Sequence, residues 1–375
     1  MSLNSMEIIK TIRTHSEPIN TLLICKNGNL VSGSLGRIIF YSKKNLEVIL
    51  RITEFKEYYI SHINELHKDN NFLICHNGFK ILETTSDNKK YKVLFSFYER
   101  FMMNKSIEFE HKYISESNKE ETKYSIIIST VYGMHIFEKS NNKIIKEENK
   151  DNNKIKDEKK VNNSININNI NDENKKGKIE SLDNDNNETN YTFVKKINYN
   201  EIVYNILQIN NNCFISTSNS VLASGNNCLR FWSYTEMTNI KTLNNLFCSS
   251  GIYSIVKIKE KILLVGLEKI PKYLIRNKKI AENLNINGIA VIDLEYNEIV
   301  QFIETHNCIR SLLLAKNDTI IAGSTFKLVQ YKFNRGFIEK IGEKELFNYI
   351  NNSIVEVDEN IFATGSNNKL ILVIK

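Results

Sequence analysis

Between positions 269 and 279 this chain places five basic side chains, Lys269, Lys272, Arg276, Lys278 and Lys279, with Tyr273, Leu274 and Ile280 interleaved. Counting Glu268 and Glu282, the segment carries a local excess of +3. A short basic stretch with aromatic and aliphatic interruptions can present charge to an acidic protein surface, a phosphate or a nucleic-acid backbone. Lys269, Lys272, Tyr273, Arg276, Lys278 and Lys279 are therefore the candidate partner-binding residues. Five charges without a second basic strip hold a polyanion weakly at physiological salt, so an ordinary solvated loop is the competing reading.

No other residue pattern points to chemistry. There is no HExxH, no GxSxG, no paired cysteine ligands and no dinucleotide fingerprint. Gly28 and the Gly33-Ser34 pair mimic the glycine spacing of a phosphate loop but lack its lysine. Asp183 to Asn187 lack the turn glycine and flanking helices of a calcium loop. The seven histidines show no metal-ligand spacing, and His62 and His67, read as members of one strand, point to opposite faces. The six cysteines read as free buried thiols in a reducing compartment. A non-enzyme without metal or cofactor is the expectation.

Composition sets the frame for these residues. The 375 residues carry 50 Lys+Arg against 43 Asp+Glu, a net +7. The pI of 8.8 falls below the threshold of about 9 that marks a nucleic-acid domain. Nucleic acid is thus a possible partner, behind other proteins. No apolar run is long enough to span a bilayer, and the N-terminus has no secretory pattern, so membrane insertion is not expected and a cytoplasmic or nuclear location is. Residues 140–190 hold 16 Asn, 10 Lys, 11 Asp/Glu and no aromatic residue. Such a segment cannot bury enough apolar surface to offset its ordering and reads as a disordered low-complexity insert.

Outside the insert, short β-rich runs are separated by turns too short for helices. INTLLIC (19–25), NLVSGS (29–34), RIIFYSK (37–43) and LEVILRI (46–52) require an antiparallel meander. A repeat is also visible in NLVSGSLGRIIFYS (29–42), VLASGNNCLRFWSY (221–234), TIIAGSTFKLVQYKF (319–333) and NIFATGSNNKLILVIK (360–375). Each joins an apolar strand ending in a small residue and Gly to a polar turn and a second apolar strand. Gly33-Ser34, Gly225, Gly266, Gly323-Ser324 and Gly365-Ser366 mark it, with spacings of 42 from Gly323 to Gly365 and 41 from Gly225 to Gly266.

This pattern resembles the WD40 repeat family of β-propellers, whose four-stranded blades run about 40 to 45 residues. The resemblance covers the chain except the insert. Phe231-Trp232 stands where the family's WD dipeptide ends the third strand; His15 and, more loosely, His306 stand where its GH dipeptide precedes the first. The family's turn Asp is absent, with Leu35-Gly36 and Asn226-Asn227 in that hairpin. The resemblance implies a structural role for His15, hydrogen-bonded to a strand serine such as Ser34 and to Tyr41.

The expected fold is an all-β, seven-bladed propeller in one domain spanning 1–375. Its blades fall at 15–58, 59–105, 106–198, 199–247, 248–304, 305–344 and 345–375. After Asn352 only three strands remain, so the N-terminal MEIIKTIRT (6–14) is expected to pair as the outer strand of blade seven and close the ring. The insert interrupts the last hairpin of blade three, and lengthening that loop costs only about 2 kcal/mol. In blade four, CFISTS (213–218) and CLRFWSY are separated by about ten residues, although VLASG could itself be the second strand; with some twenty extra residues in the same hairpin of blade five, the basic stretch, this raises neighbouring loops on the other rim. The resemblance implies a monomeric scaffold or adaptor that docks proteins there. Two rivals are a nucleic-acid-associated propeller, favoured if Lys257, Lys259 and Lys261 join the basic loop in one patch, and an enzyme with polar groups converging in the central channel.

Overall fold

The computed structural model describes residues 6–68, 70–98, 102–115, 119–131, 133–139, 178–179, 191–198, 202–219, 228–243, 250–269 and 287–375. These form antiparallel strands with no helix among the described residues, so none is long and apolar enough to cross a membrane. The strands build seven blades around a central channel. Counted from the inner strand outward, blade one is Ile19–Ile24, Leu30–Tyr41 and Val48–Tyr59, the middle element serving as second and third strand across a bend at Gly36. Blade two is His62–Glu65, Asn71–His76, Gly78–Thr84 and Tyr91–Tyr98. Blade three is Met103–Ile114, Glu120–Thr130, Gly133–Lys139 and Tyr191–Asn198. Blades four and five are Ile202–Asn210, Cys213–Asn219, Cys228–Ser233, Thr238–Leu243 and Ser250–Lys259, Ile262–Lys269, Gly288–Asp293, Glu298–Glu304.

Blades six and seven share a continuous strand. Ile309–Leu314 and Thr319–Asn334 begin blade six, and Phe337–Asp358 forms first its outer strand and then the inner strand of blade seven. Ile361–Ser366 and Ile371–Ile374 follow, and Ile8–Ile12 pairs with the last of these, Ile12 opposite Ile371 and Ile8 opposite Ile374. The N-terminal strand thus closes the ring as expected, which removes the open edge that an unfinished blade would expose.

Each blade is apolar on both faces because it is packed between two others. The core is accordingly divided into seven clusters, each shared by two consecutive blades, the last by blades seven and one. Aromatic edges knit several of these layers: Phe40 to Phe72 at 5.3 Å between blades one and two, Phe79 to Phe137 at 4.8 Å between two and three, and Phe109 to Phe214 at 5.9 Å between three and four.

Three details differ from the expectation, and in blade four the structure decides between the two second strands left open there. Blade three begins at Met103, before the expected boundary at 106. His67 lies beyond Glu65, where the inner strand of blade two ends, so it does not share a strand with His62. The second strand of blade four is Cys213–Asn219, with Thr217 at the place of the repeat glycine; Gly225 and the rest of VLASG fall outside the described residues. Within the Asn-rich insert, most of which is also outside them, Lys178–Ile179 lies antiparallel to Tyr98 and Phe97 beside the outer strand of blade two.

Candidate rim site on blades four to six

The inner strands follow one short pattern. A residue that is apolar in every blade but the seventh, where it is Asn351, is followed by one that bulges out of register and then by a polar residue that returns to the ladder. The bulged positions are Asn20, Asn104, Tyr204, Tyr253, Arg310 and Asn352 in blades one, three, four, five, six and seven. Ser61 precedes the inner strand of blade two at the corresponding place. A bulge re-aims the side chain it carries, and here it does so at the same end of every inner strand.

At this level a hydrogen bond joins every blade to the next. The bulged residue or its counterpart supplies the donor in four blades: Asn20 to the Ile60 carbonyl at 3.4 Å, Ser61 to that of Met103, Asn104 to that of Val203 at 2.8 Å, and Asn352 to that of Ile19 at 2.9 Å. In blades four, five and six the following residue donates instead: Asn205 to the Tyr253 carbonyl at 2.9 Å, Ser254 to that of Ile309 at 3.4 Å and Ser311 to that of Asn351 at 3.4 Å. The side chains of Tyr204, Tyr253 and Arg310 are thereby released from ring closure.

Those three side chains meet one another. The rings of Tyr204 and Tyr253 lie 5.2 Å apart, and the Arg310 guanidinium sits 5.9 Å from the centre of the Tyr253 ring. Glu268, at the end of the second strand of blade five, takes Arg310 Nη2 at 3.5 Å. Burial, reinforced by the Glu268 charge, pushes both phenols above their ordinary range. The Arg310 side chain remains 35% exposed and Glu268 25%. Arg310 Nε has no hydrogen-bond partner among the described residues. An aromatic shelf with a partly exposed, monodentate ion pair can accept a carboxylate in exchange, or stack a planar side chain.

The opposite mouth of the channel is different. Its acids are consumed by backbone N–H groups of the preceding blade: Glu65 accepts from Lys26 at 2.6 Å, Glu108 from His67 and Glu356 from Lys316 at 2.9 Å. Burial raises Glu108 to about 7.

The basic loop springs from this same cluster. Lys269 ends the strand next to Glu268, opposite Ser250; Lys272, Tyr273, Arg276, Lys278 and Lys279 lie outside the described residues. Lys257, Lys259 and Lys261 do not join it. They sit at the other end of the same hairpin, where Lys259 pairs with Ile262, and are engaged by the Ile209 carbonyl at 2.8 Å, the Phe333 ring at 4.9 Å and Glu295 at 2.7 Å.

Among the repeat residues, His15 is buried, with Nδ1 2.7 Å from Ser34 Oγ and Nε2 2.6 Å from Ser32 Oγ. It reaches Tyr41 only through Ser32, whose hydroxyl lies 3.1 Å from the phenol, so the direct contact expected from the resemblance is replaced by a relay. Burial, with Arg37 and Arg51 adding to it, lowers His15 to about 4. Trp232 donates to Ser216 at 2.9 Å in blade four. His306 is exposed and offers its carbonyl to Asn287. Gly33, Gly266, Gly323 and Gly365 leave no room for a side chain: a Cβ would stand 2.6 to 2.9 Å from Ile60, Ile309, Ile354 or Ile19 of the next blade. Cys25, Cys75, Cys213, Cys228 and Cys308 are free thiols, and no cluster of metal-ligating side chains occurs among the described residues.

Seven four-stranded wedges closed by an N-terminal strand define a β-propeller of the WD40 type. The chain superposes on the WD40 β-propeller domain of Doa1 with a TM-score of 0.62 and 8% identity, over 99% of this chain and 97% of that one. It superposes equally on a chain in the crystal structure of the mitotic checkpoint complex, with a TM-score of 0.64 and 8% identity over 98% and 91%. The likeness is one of fold. No protein-family model and no curated protein sequence matches the chain.

Proposed function

We propose that this protein is a non-catalytic docking ring, a scaffold or adaptor that holds a protein partner at the rim of blades four to six. The observation that carries the reading is the displacement of ring closure by one residue in three adjacent blades, which frees Tyr204, Tyr253 and Arg310 to converge beside Glu268. Partly exposed tyrosine and arginine side chains are the residue types that anchor protein interfaces. The recurrence of the fold in a structure of the mitotic checkpoint complex supports a place within a multiprotein assembly. A monomeric propeller suffices, since the chain closes its own ring. The separation of Lys257, Lys259 and Lys261 from the basic loop argues against one continuous nucleic-acid surface.

The test is co-purification from native extract of the intact protein and two variants. In one, Lys269, Lys272, Arg276, Lys278 and Lys279 become Ser; in the other, Arg310 and Glu268 become Ala. A defined set of proteins lost from both variants is the expected result. Loss of nuclease-sensitive nucleic acid instead would favour a nucleic-acid-associated propeller, and an unchanged partner list would remove the working face from this rim.

A further inference from the structure

One turn on this rim is built against its own stability. In blade one the bend between second and third strands places Gly36 at a φ of 70°, in the left-handed region that glycine adopts freely. Blade six makes the same bend, Ser324-Thr325-Phe326-Lys327 standing where blade one has Ser34-Leu35-Gly36-Arg37, and there Phe326 is held at a φ of 71°. A bulky L-residue in that region is disfavoured by about 1–2 kcal/mol. Two other apolar residues with positive φ, Leu46 and Met237, are repaid by packing against core clusters. Phe326 is not: it belongs to no core cluster and is 42% exposed.

The turn is nonetheless firmly placed. Asn307 donates to the Thr325 carbonyl at 3.0 Å, and Cys308 Sγ lies 3.5 Å from Thr325 Oγ1. Asn307 and Cys308 are the residues that lead into Arg310. The same local frame therefore holds an exposed aromatic ring and the guanidinium of the rim cluster. Strain retained at an exposed position and supported by its neighbours points to a use outside the fold.

We propose that Phe326 is the apolar anchor of the docking rim, and that the segment docked there is an acidic peptide carrying an aromatic or large aliphatic residue. Its carboxylate takes Arg310 from Glu268 while its apolar side chain covers Phe326. Charge supports this occupant: Glu268 and Lys269, which end a blade-five strand at this rim, open a stretch of sequence to Glu282 with an excess of +3, and outside the 140–190 insert, itself at −1, the +7 chain stands at +8. The proposal rests on the docking reading above and adds its chemistry.

The experiment pairs stability with binding. Phage-displayed random short peptides are selected on the full-length protein, and the enriched peptides are titrated against F326G, F326N and R310A. The expected result is a consensus joining Asp or Glu to an aromatic or large aliphatic residue, bound about tenfold more weakly by each variant. F326G and F326N should also melt about 2 °C higher than the parent, because each relieves the strained turn. Weakening by R310A alone would overturn the role of Phe326 and leave the rim reading standing. Indifference to all three variants, or no common motif, would overturn both. A lower melting temperature in F326G and F326N would make Phe326 a folding residue and reject the inference.

Discussion

Blades one, five, six and seven solve the problem of joining two wedges differently from blades two, three and four. In the first group the polar residue after the bulge is Ser or Thr facing a glycine: Thr21 opposite Gly33, Ser254 opposite Gly266, Ser311 opposite Gly323 and Ser353 opposite Gly365. The glycine leaves a notch that an isoleucine of the next blade fills. In the second group the pairs are His62 with Cys75, Lys105 with Ser129 and Asn205 with Thr217, and the notch is gone. A polar strut spans the gap instead, His62 to Ser106 at 3.0 Å, Lys105 to Asn205 at 3.4 Å and Asn205 to the Tyr253 carbonyl. Backbone N–H of Ser106 also donates to His62 Nδ1, which fixes that nitrogen as an acceptor. Apolar notches are indifferent to pH, whereas the struts carry titratable groups inside the ring, where burial keeps His62 near 3 and lowers Lys105.

The largest way to break this arrangement is at the seam between blades seven and one. Deleting residues 1–12 strips the partner from Ile371–Ile374 and removes Ile12 from its core cluster. The cooperative transition should vanish or the melting temperature fall by at least about 10 °C in a circular-dichroism melt; an unchanged transition would show that the ring does not depend on its clasp.

Acid should act next, chiefly through blades two and three. His15, His62, His76 and His135 are held near 4, 3, 4 and 3 by burial, so below 6.5 the unfolded chain binds protons that the folded chain refuses. Stability is therefore lost as pH falls from 6.5 towards 4. Glu108, raised to about 7, works in the opposite sense over the same window. The net of about three protons corresponds to about 4 kcal/mol per pH unit, read from urea unfolding between pH 6 and 5. His76 is the cleanest probe, because both ring nitrogens lack partners among the described residues and its ring packs among Phe55, Tyr58 and Tyr98. His76→Phe should reduce the slope by about 1 kcal/mol per pH unit without loss of stability at pH 8.

Smaller effects separate notch from strut. Gly365→Ala drives a Cβ to 2.6 Å from Ile19 and should cost about 2 kcal/mol in chemical denaturation through the clash, while Thr217→Gly at the matching place in blade four should cost about 2 kcal/mol for the opposite reason, since it takes the hydroxyl acceptor from the Asn205 N–H at 3.2 Å. Lys105→Met, which removes a buried ammonium that no described carboxylate pairs with, should stabilise by about 1 kcal/mol. A loss in that variant would show that the strut from Lys105 to Asn205 outweighs the cost of its buried charge.

The same contrast explains what was legible. The Gly-Ser marks at 33, 323 and 365 stand out because the isoleucine side chain that approaches from the next blade tolerates only glycine there, and periodicity follows from that steric demand. Blades two and three showed only strand rhythm because struts of unlike residues leave no common letter. The rim cluster was missed for a related reason. Tyr204, Tyr253 and Arg310 are far apart in the chain and become equivalent only when the inner strands are aligned as VYN, IYS and IRS against INT and NNS. That alignment was available, since most of the bulged residues sit between an apolar residue and a small polar one. In VLASG the letters matched while the strand was elsewhere, because CFISTS already occupied the second place of blade four. The strained turn had no signal in the letters at all, since Phe326 is unremarkable until its φ is known.

The clasp carries one more consequence. Glu7 and Lys375 exchange two backbone hydrogen bonds of 2.9 Å, so two residues at opposite ends of the closed ring lie side by side on one sheet. In a variant begun at Glu7 and ended at Lys375, a peptide ligase could join the two through a short linker without moving a blade, and the backbone would become an endless loop. Such a cyclised ring could then be cut in any exposed turn to create new ends, which makes the position of a fused label or tether on the disc a free choice for the experimenter.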